Sequence, residues 1–342
     1  MFQVGIHHFL QSADSTIVEW YMQFISLFGY QWMVLLLLII IMYGIDFRKG
    51  FILLQVAAWS SFIIGFSKDY FALPRPFDVD ATLKPFGASY TLETGRLMNR
   101  GATGFFTPLP SDVLKILREG GLSDFGFPSG HVTIAVSLFG SLVFLFRKRW
   151  IQFLSLLIIL SMPFSRMYLA RHFLADVLGG LLLGMSILLL TWIIALNEKR
   201  QFLLQQSFID ASRLTISFRF LFLIITPLMM LIFTDLYPGL FAYMLGINLV
   251  FILVTIRGYP MNCTGPAKRI LRVVVIMILF SGFYYLSTLI PLDTSVEWKM
   301  TVRDVLVTFI PFLAGTYLCK RFHLFALPAS SNQQVVNDGR AV

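Results

Sequence analysis

The chain has 342 residues, of which 57% are apolar and only 13% are charged. Soluble domains carry about 25% charged residues, so this composition excludes an ordinary soluble protein and indicates a membrane protein. The net charge of +9 comes from basic residues scattered among short loops, which argues against a nucleic-acid-binding surface. We therefore expect membrane lipids, and no nucleic acid, as partners.

The N-terminal part of the chain precedes the first long apolar segment. The first sixteen residues are too polar for a secretory signal peptide, so the first membrane span is expected to be retained. Residues 17–30 are aromatic and amphipathic, and they form either an extension of that span or an interfacial helix. We favour the interfacial helix, which would place Trp20 and Tyr21 at the level of the lipid headgroups.

Apolar segments follow one another along most of the chain. About 20 apolar residues cross a bilayer as a helix, and helices satisfy the backbone where water is absent. The sequence therefore predicts an all-α fold, a polytopic membrane helix bundle of about nine transmembrane helices. The predicted spans are residues 31–46, 50–67, 129–146, 150–165, 173–195, 219–235, 238–256, 270–292 and 304–319.

Basic residues concentrate in the loops after the first, third, fifth and seventh spans and after the last one, which the positive-inside rule assigns to the cytosol. We therefore predict an integral membrane protein with a cytosolic C-terminus, and we expect it in a bacterial inner membrane. Cys263 and Cys319 lie near cytosolic ends and are expected to be free thiols. The long connection 74–128 lies on the periplasmic or exterior side, and its length indicates function. Within it, a short amphipathic helix is predicted to begin at Ser111.

Three polar clusters lie at or just beyond the outer ends of the second to fifth spans, and all face the same side of the membrane. They are Lys68 to Pro76, Pro128 to His131, and Ser165 to Asp176. Ionisable groups so close to hydrocarbon are costly, so a cluster of them indicates a functional site.

The second cluster is suited to binding an anion. Ser129 opens the third span and is expected to cap its helix, with the N–H groups of Ser129, Gly130 and His131 pointing outward. Gly130 would let an anion approach the backbone closely. Further positive charge comes from Lys68, Arg75 and Arg166. Guanidinium groups match phosphate oxygens, so this set would suit a phosphoryl group in transfer.

The third cluster contains a pair suited to nucleophilic catalysis. His172 and Asp176 are four residues apart and share a helix face, so the carboxylate can accept the imidazole N–H. The other nitrogen of His172 is then free to attack phosphorus. His131 can protonate the leaving oxygen. Because the neighbours of both imidazoles are basic, a divalent cation is disfavoured, and we predict no metal and no cofactor.

Each residue also has an ordinary structural explanation. Lys68 and Arg75 could be interfacial side chains whose stems lie along apolar surface, and Ser129 could be only a helix cap. A His172–Asp176 pair could merely stabilise its helix. We favour the functional interpretation because all of these features converge on one face.

The three clusters together resemble the signature of the type-2 phosphatidic acid phosphatase superfamily, which also includes vanadium haloperoxidases and glucose-6-phosphatases. The resemblance covers about residues 50–195 and implies that residues 1–195 form a catalytic membrane domain with that superfamily's helical core. Residues 196–342 would be a C-terminal membrane extension with a cytosolic tail. The nine-span plan is similar to that of glucose-6-phosphatase.

The resemblance also implies a role for each signature residue. Phosphate would be bound by Lys68, Arg75, Ser129, Gly130 and Arg166. His131 would act as the acid, His172 as the nucleophile and Asp176 as its support, without a metal.

The predicted function is hydrolysis of a lipid phosphate or lipid diphosphate through a phosphohistidine intermediate, without a metal. One alternative is a phosphotransferase that passes the phosphoryl group to another lipid, and a second is a glucose-6-phosphatase-like enzyme acting on a soluble phosphomonoester. A non-enzyme alternative is a transporter of a phosphorylated solute, because many spans and a basic outward pocket would also serve translocation.

Overall fold

The computed structural model describes residues 4–13, 15–76, 82–84, 111–112, 115, 125–196, 211–234, 236–256, 259–260, 265–290 and 297–325. Every regular element within these ranges is a helix, so the all-α prediction is confirmed. In chain order the helices are α1 Val4–Gln11, α2 Thr16–Leu27, α3 Gln31–Ile39 with a π-helical continuation Ile40–Ile45, α4 Phe47–Phe71, α5 Gly130–Ile134 with π-helical Ala135–Phe139 and α-helical Gly140–Leu145, α6 Arg149–Tyr168, α7 Leu174–Thr191 with π-helical Trp192–Leu196, α8 Arg213–Phe220 with π-helical Leu221–Ile225 and α-helical Thr226–Phe233, α9 Pro238–Thr255, α10 Pro266–Leu289 and α11 Glu297–Arg321.

Helices occupy all nine segments that were predicted as membrane spans. Within the described ranges, seven helices are long and apolar enough to cross a membrane by themselves. An eighth would be the bent pair Thr16–Leu27 and Gln31–Ile45, and the apolar helix Gly130–Leu145 is shorter than the rest. The polytopic helical fold is thus shown. A count of nine spans, and with it the likeness to the plan of glucose-6-phosphatase, remains a prediction.

Two short helices were predicted outside the spans. α2 is a helix of its own, set at 61° to Gln31–Ile45, so residues 17–30 do not extend the first span in a straight line. Its position at the membrane interface remains a prediction. Ser111, Asp112 and Lys115 are helical, and the rest of the helix predicted from Ser111 lies outside the described residues.

The chain packs into two compact units. The first comprises Met1–Leu36 and Ile52–Gln201, and the second comprises Leu37–Phe51 and Phe202–Val342. All eight predicted site residues belong to the first unit. The division of function between residues 1–195 and 196–342 remains a prediction.

Small residues bring α5 and α7 close together beside the site. A side chain at Gly180 would lie 2.7 Å from the carbonyl oxygen of Ser129, and one at Gly184 would lie 2.8 Å from Cβ of Val136. Thr133, buried between the helices, donates through Oγ1 to the carbonyl of Gly180 at 3.2 Å. This close approach fixes the start of α5 against the first turns of α7.

One buried amide within the second unit is paired with the backbone. In α8, Leu223 lies in the π-helical segment, and Pro227 four residues later has no N–H that could donate to the carbonyl of Leu223. Asn248 of α9 is buried and donates from Nδ2 to that carbonyl at 2.8 Å. Cys319 is buried as a free thiol, as predicted, whereas Cys263 lies outside the described residues.

Candidate active site

His172 lies in the turn between α6 and α7, and Asp176 lies in the first turn of α7. Both are buried, and His172 Nδ1 is 3.4 Å from Asp176 Oδ2. The same carboxylate oxygen accepts the backbone N–H of Phe173 at 2.8 Å, which caps the start of α7. The predicted pairing is therefore present as a contact that is longer than a short hydrogen bond. It leaves Nε2 as the nitrogen of His172 that faces away from Asp176.

Three basic side chains lie near His172. Two of them are in the last turns of α4 and α6, and the third is in the segment that follows α4. Lys68, in the last turn of α4, donates to the carbonyl of Phe125 at 2.7 Å. Arg75 is buried, and its Nη1 lies 3.5 Å from the carbonyl oxygen of Arg171. Arg166, in the last turn of α6, has its partner on a different helix, because its Nη1 donates to Ser26 Oγ of α2 at 2.6 Å. These contacts orient each cation with a neutral acceptor.

The start of α5 differs from the sequence prediction in one respect. Ser129 does occupy the N-cap position, but its hydroxyl makes no capping hydrogen bond. Its N–H donates to the carbonyl of Asp176 at 2.9 Å, so the prediction that this N–H points outward toward an anion is wrong. Gly130 and His131 are in the first turn, whose N–H groups have no acceptor within the helix. A side chain at Gly130 would lie 3.1 Å from Ile64 Cγ2.

Both imidazoles lie within the field of the same cations. Burial lowers the pKa of His172 well below 6.5, and the charges of Arg75, Arg166 and Lys68 lower it further. These three cations also act on His131, together with Arg171. His172 is therefore neutral at pH 7, which is the state that a nitrogen nucleophile requires.

Several buried polar atoms around His172 have no hydrogen-bond partner among the residues that the structure describes. They are Ser129 Oγ, His131 Nε2, His172 Nδ1 and Asp176 Oδ1. Buried polar atoms in proteins are nearly always paired, so a group of unpaired ones requires an explanation. Oxygen atoms of a bound anion would accept from the Ser129 hydroxyl and from Nε2 of His131, and the nearby cations would balance their charge. The arrangement can therefore hold a phosphate.

The comparison with known proteins agrees with this chemistry. Residues 49–200 match the PAP2 superfamily. All eight predicted site residues lie inside this PAP2 segment, and the match supports the superfamily that the sequence motifs resemble.

One curated relative is similar over a shorter stretch. It is the lipid A 4'-phosphatase of Bacteroides thetaiotaomicron, 37% identical over 67 residues, which are 20% of this chain and 29% of the relative. The chain thus matches less than a third of that protein's length. No solved structure matches the chain.

Contacts to the PAP2 segment also come from residues that precede it, which the sequence analysis did not single out. Ser26 of α2 binds Arg166, and Ser165 donates to the carbonyl of Met22 at 2.6 Å. At the elbow between α2 and α3, the ring of Tyr30 is 4.9 Å from the imidazole of His131 and nearly perpendicular to it. These residues carry no motif and lie over 100 positions from their partners, so only the tertiary structure identifies them.

The elbow leaves no room for a side chain at Gly29. A Cβ there would lie 2.3 Å from Cδ2 and 2.5 Å from Cγ of His131, so Gly29→Ala must displace the imidazole or the elbow. We expect any reaction that uses His131 to slow at least about tenfold, because small displacements of a reacting group reduce catalysis steeply. Initial rates of phosphate release from a phosphomonoester measure the effect.

The matched control for that substitution is Gly282→Ala in α10, where an added Cβ meets nothing within 4 Å. It should retain wild-type activity. Full activity in Gly29→Ala would show that the elbow does not constrain His131.

Proposed function

We propose that this chain is an integral membrane phosphatase that hydrolyses a lipid phosphate through a phosphohistidine on His172. The observation that carries the proposal is the group of buried polar atoms without a hydrogen-bond partner on Ser129, His131, His172 and Asp176, near the positive charges of Lys68, Arg75 and Arg166. Cations balance the charge of a phosphoryl group, and the two imidazoles supply a nucleophile and an acid. The motifs, the PAP2 match and the similar lipid A 4'-phosphatase support the same reaction class.

In the first step, Nε2 of His172 attacks phosphorus as the bond from phosphorus to the lipid oxygen breaks. The leaving oxygen takes a proton from His131, which binds that proton together with the negatively charged substrate. Lys68, Arg75 and Arg166 balance the charge on the transferring phosphoryl oxygens. Asp176 stabilises the positive charge that develops on the imidazole of His172.

In the second step, water attacks phosphorus and the bond from phosphorus to Nε2 breaks. His131, now neutral, accepts a proton from that water, and inorganic phosphate leaves. His172 returns to its neutral form and His131 to its protonated form. No redox partner takes part. Because the neighbours of both imidazoles are mainly basic side chains, which oppose a divalent cation, we propose that both steps proceed without a metal.

A lipid substrate is proposed because the site lies at the ends of apolar helices. The neighbouring end of α4 exposes Phe66 and Tyr70, which offers apolar surface to an acyl or prenyl chain. The similar protein is named for lipid A, so a phosphorylated glycolipid is the first substrate to test. Phosphatidic acid and a polyprenyl diphosphate are the comparison substrates.

The test is phosphate release by the purified full-length chain in detergent, with EDTA present. We expect inorganic phosphate from at least one lipid phosphate, faster than from glucose 6-phosphate. Activity lost in EDTA and restored by a divalent cation would contradict the metal-free mechanism.

Two outcomes would instead favour alternative functions. Labelled phosphate that appears only on an acceptor lipid would indicate a phosphotransferase. Counterflow of a phosphorylated solute that survives His172→Ala would indicate a transporter.

We also propose that the site faces the periplasm or exterior and that the C-terminus is cytosolic. Tyr70 is exposed beside the site, and Trp150 is exposed at the start of α6, whose other end carries Arg166. In intact cells, a membrane-impermeant maleimide should label Tyr70→Cys, whereas Trp150→Cys should react only after permeabilisation. The experiment uses a background without Cys263. The reverse pattern would place the site in the cytosol.

A further inference from the structure

Helix α1, which precedes the PAP2 segment, contacts the turn that carries His172. His7 is completely buried, and its Nε2 lies 2.9 Å from the carbonyl oxygen of His172. One helical turn later, Gln11 donates from Nε2 to the carbonyl of Tyr168 at 2.9 Å. His7 and Gln11 are four residues apart and share one face of α1. This face therefore binds both ends of the turn.

The turn needs such partners because its backbone is irregular. Tyr168 ends α6, so its carbonyl has no helical donor, and Ala170 has a φ of 53° that alanine rarely adopts. Buried carbonyls without a donor are costly, and the residues from 168 to 172 are all buried. His7 and Gln11 supply two donors. The backbone of the turn is thus held by side chains outside it.

His7 also contacts the residue that follows the nucleophile. Its ring meets the ring of Phe173 edge-on, with centroids 5.9 Å apart. Phe173 in turn donates its N–H to Asp176 Oδ2, the oxygen that faces His172. A shift of His7 would therefore move the backbone of the nucleophile and the carboxylate that orients it together.

We propose that α1 is a clamp on the active-site turn, with His7 and Gln11 as positioning residues for His172. The proposal rests on the nucleophilic role proposed above for His172. Neither residue touches the phosphate. They hold the backbone so that Nε2 of His172 lies in line with the bond that breaks, and a misplacement of about 1 Å at such a point costs up to about 100-fold in rate.

The experiment compares two amides at position 7. His7→Gln places an N–H donor about as far from Cβ as Nε2 of histidine does, whereas the amide of His7→Asn is one bond shorter. We expect His7→Asn to lower kcat by about 10- to 100-fold with little change in KM, and His7→Gln to recover most of that loss. The control is His8→Asn, because His8 is exposed on the next position of the same helix. It should behave as the wild type.

Recovery by Gln but not by Asn separates positioning from mere folding, since both variants are polar and smaller than histidine. Equal kcat values for His7→Asn and the wild type, or equal losses in the Asn and Gln variants, would overturn the clamp. If His7→Asn elutes as aggregate in size-exclusion chromatography, the proposal is tested with Gln11→Met instead. It keeps the side-chain shape but lacks the donor, and it should lower kcat less than tenfold but measurably, whereas unchanged kcat would refute the proposal.

A second readout keeps the clamp testable if the wild type proves not to be a phosphatase. Carbethoxylation of His172 by diethyl pyrocarbonate, followed by mass spectrometry, reports its position without turnover. The rate should rise several-fold in His7→Asn and stay near the wild-type rate in His7→Gln and His8→Asn. An inactive wild type with this pattern would refute the phosphatase and leave the clamp supported. Equal rates in all variants would refute the clamp.

Discussion

Replacing His172 with alanine should abolish phosphate release from both a lipid phosphate and p-nitrophenyl phosphate. Either leaving group requires the same nucleophile, so a better leaving group cannot compensate for its loss. Burial and the charges of Arg75 and Arg166 lower the pKa of His172, so in the wild type its neutral form predominates at pH 7. We expect kcat to fall by at least about 10⁴-fold on both substrates, as for other essential nucleophiles.

The same variant should also fail to form a phosphoenzyme. In the wild type, rapid acid-free quenching after reaction with a labelled phosphomonoester should trap phosphate on protein, and mass spectrometry should locate it on His172. His8→Ala is the control, because it removes an exposed imidazole that lies outside the site. A phosphoenzyme that persists in His172→Ala would show that another residue is the nucleophile.

Sequence motifs could propose the candidate reacting groups because the constraints on these groups are local. The spacing from His172 to Asp176 puts both on one helix face, and the structure places them 3.4 Å apart. The predicted span ends put Lys68 and Arg166 on the same side of the membrane, so the sequence alone led to the expectation that they lie near each other. Periodicity and hydropathy also located all of the helices that occupy the predicted spans.

Other features depend on packing between distant segments and leave no local pattern. The N–H of Ser129 was assigned to an anion, but α5 and α7 approach so closely that it donates to the carbonyl of Asp176. Ser26 and Tyr30, which contact Arg166 and His131, lie next to the 61° bend between α2 and Gln31–Ile45, and an amphipathic pattern does not specify such an angle. Hydropathy likewise does not decide whether the short helix Gly130–Leu145 crosses the bilayer.

If His131 is the general acid, the effect of replacing it should depend on how basic the leaving group is. A lipid alkoxide is a strong base and needs a proton as it departs, whereas nitrophenolate is stable without one. Replacing His131 with alanine should therefore lower kcat on a lipid phosphate by about 10²- to 10⁴-fold, the usual contribution of general acid catalysis, and much less on p-nitrophenyl phosphate. The loss on the activated substrate should be confined to the hydrolysis of the phosphohistidine.

The structure supplies the matched comparison for this measurement. Tyr30 contacts the ring of His131, so Tyr30→Phe keeps that ring contact and should leave the ratio of the two kcat values unchanged. Asp176→Asn should lower kcat by the same factor on both substrates, because the imidazole of His172 remains but its orientation is no longer enforced. The substrate ratio thus distinguishes an acid from a residue that supports the nucleophile. Equal losses of kcat/KM, which reports the step in which the leaving group departs, on both substrates in His131→Ala would remove the acid role from His131 and assign it to the support of the phosphoryl group, since binding and charge balance are needed for either leaving group.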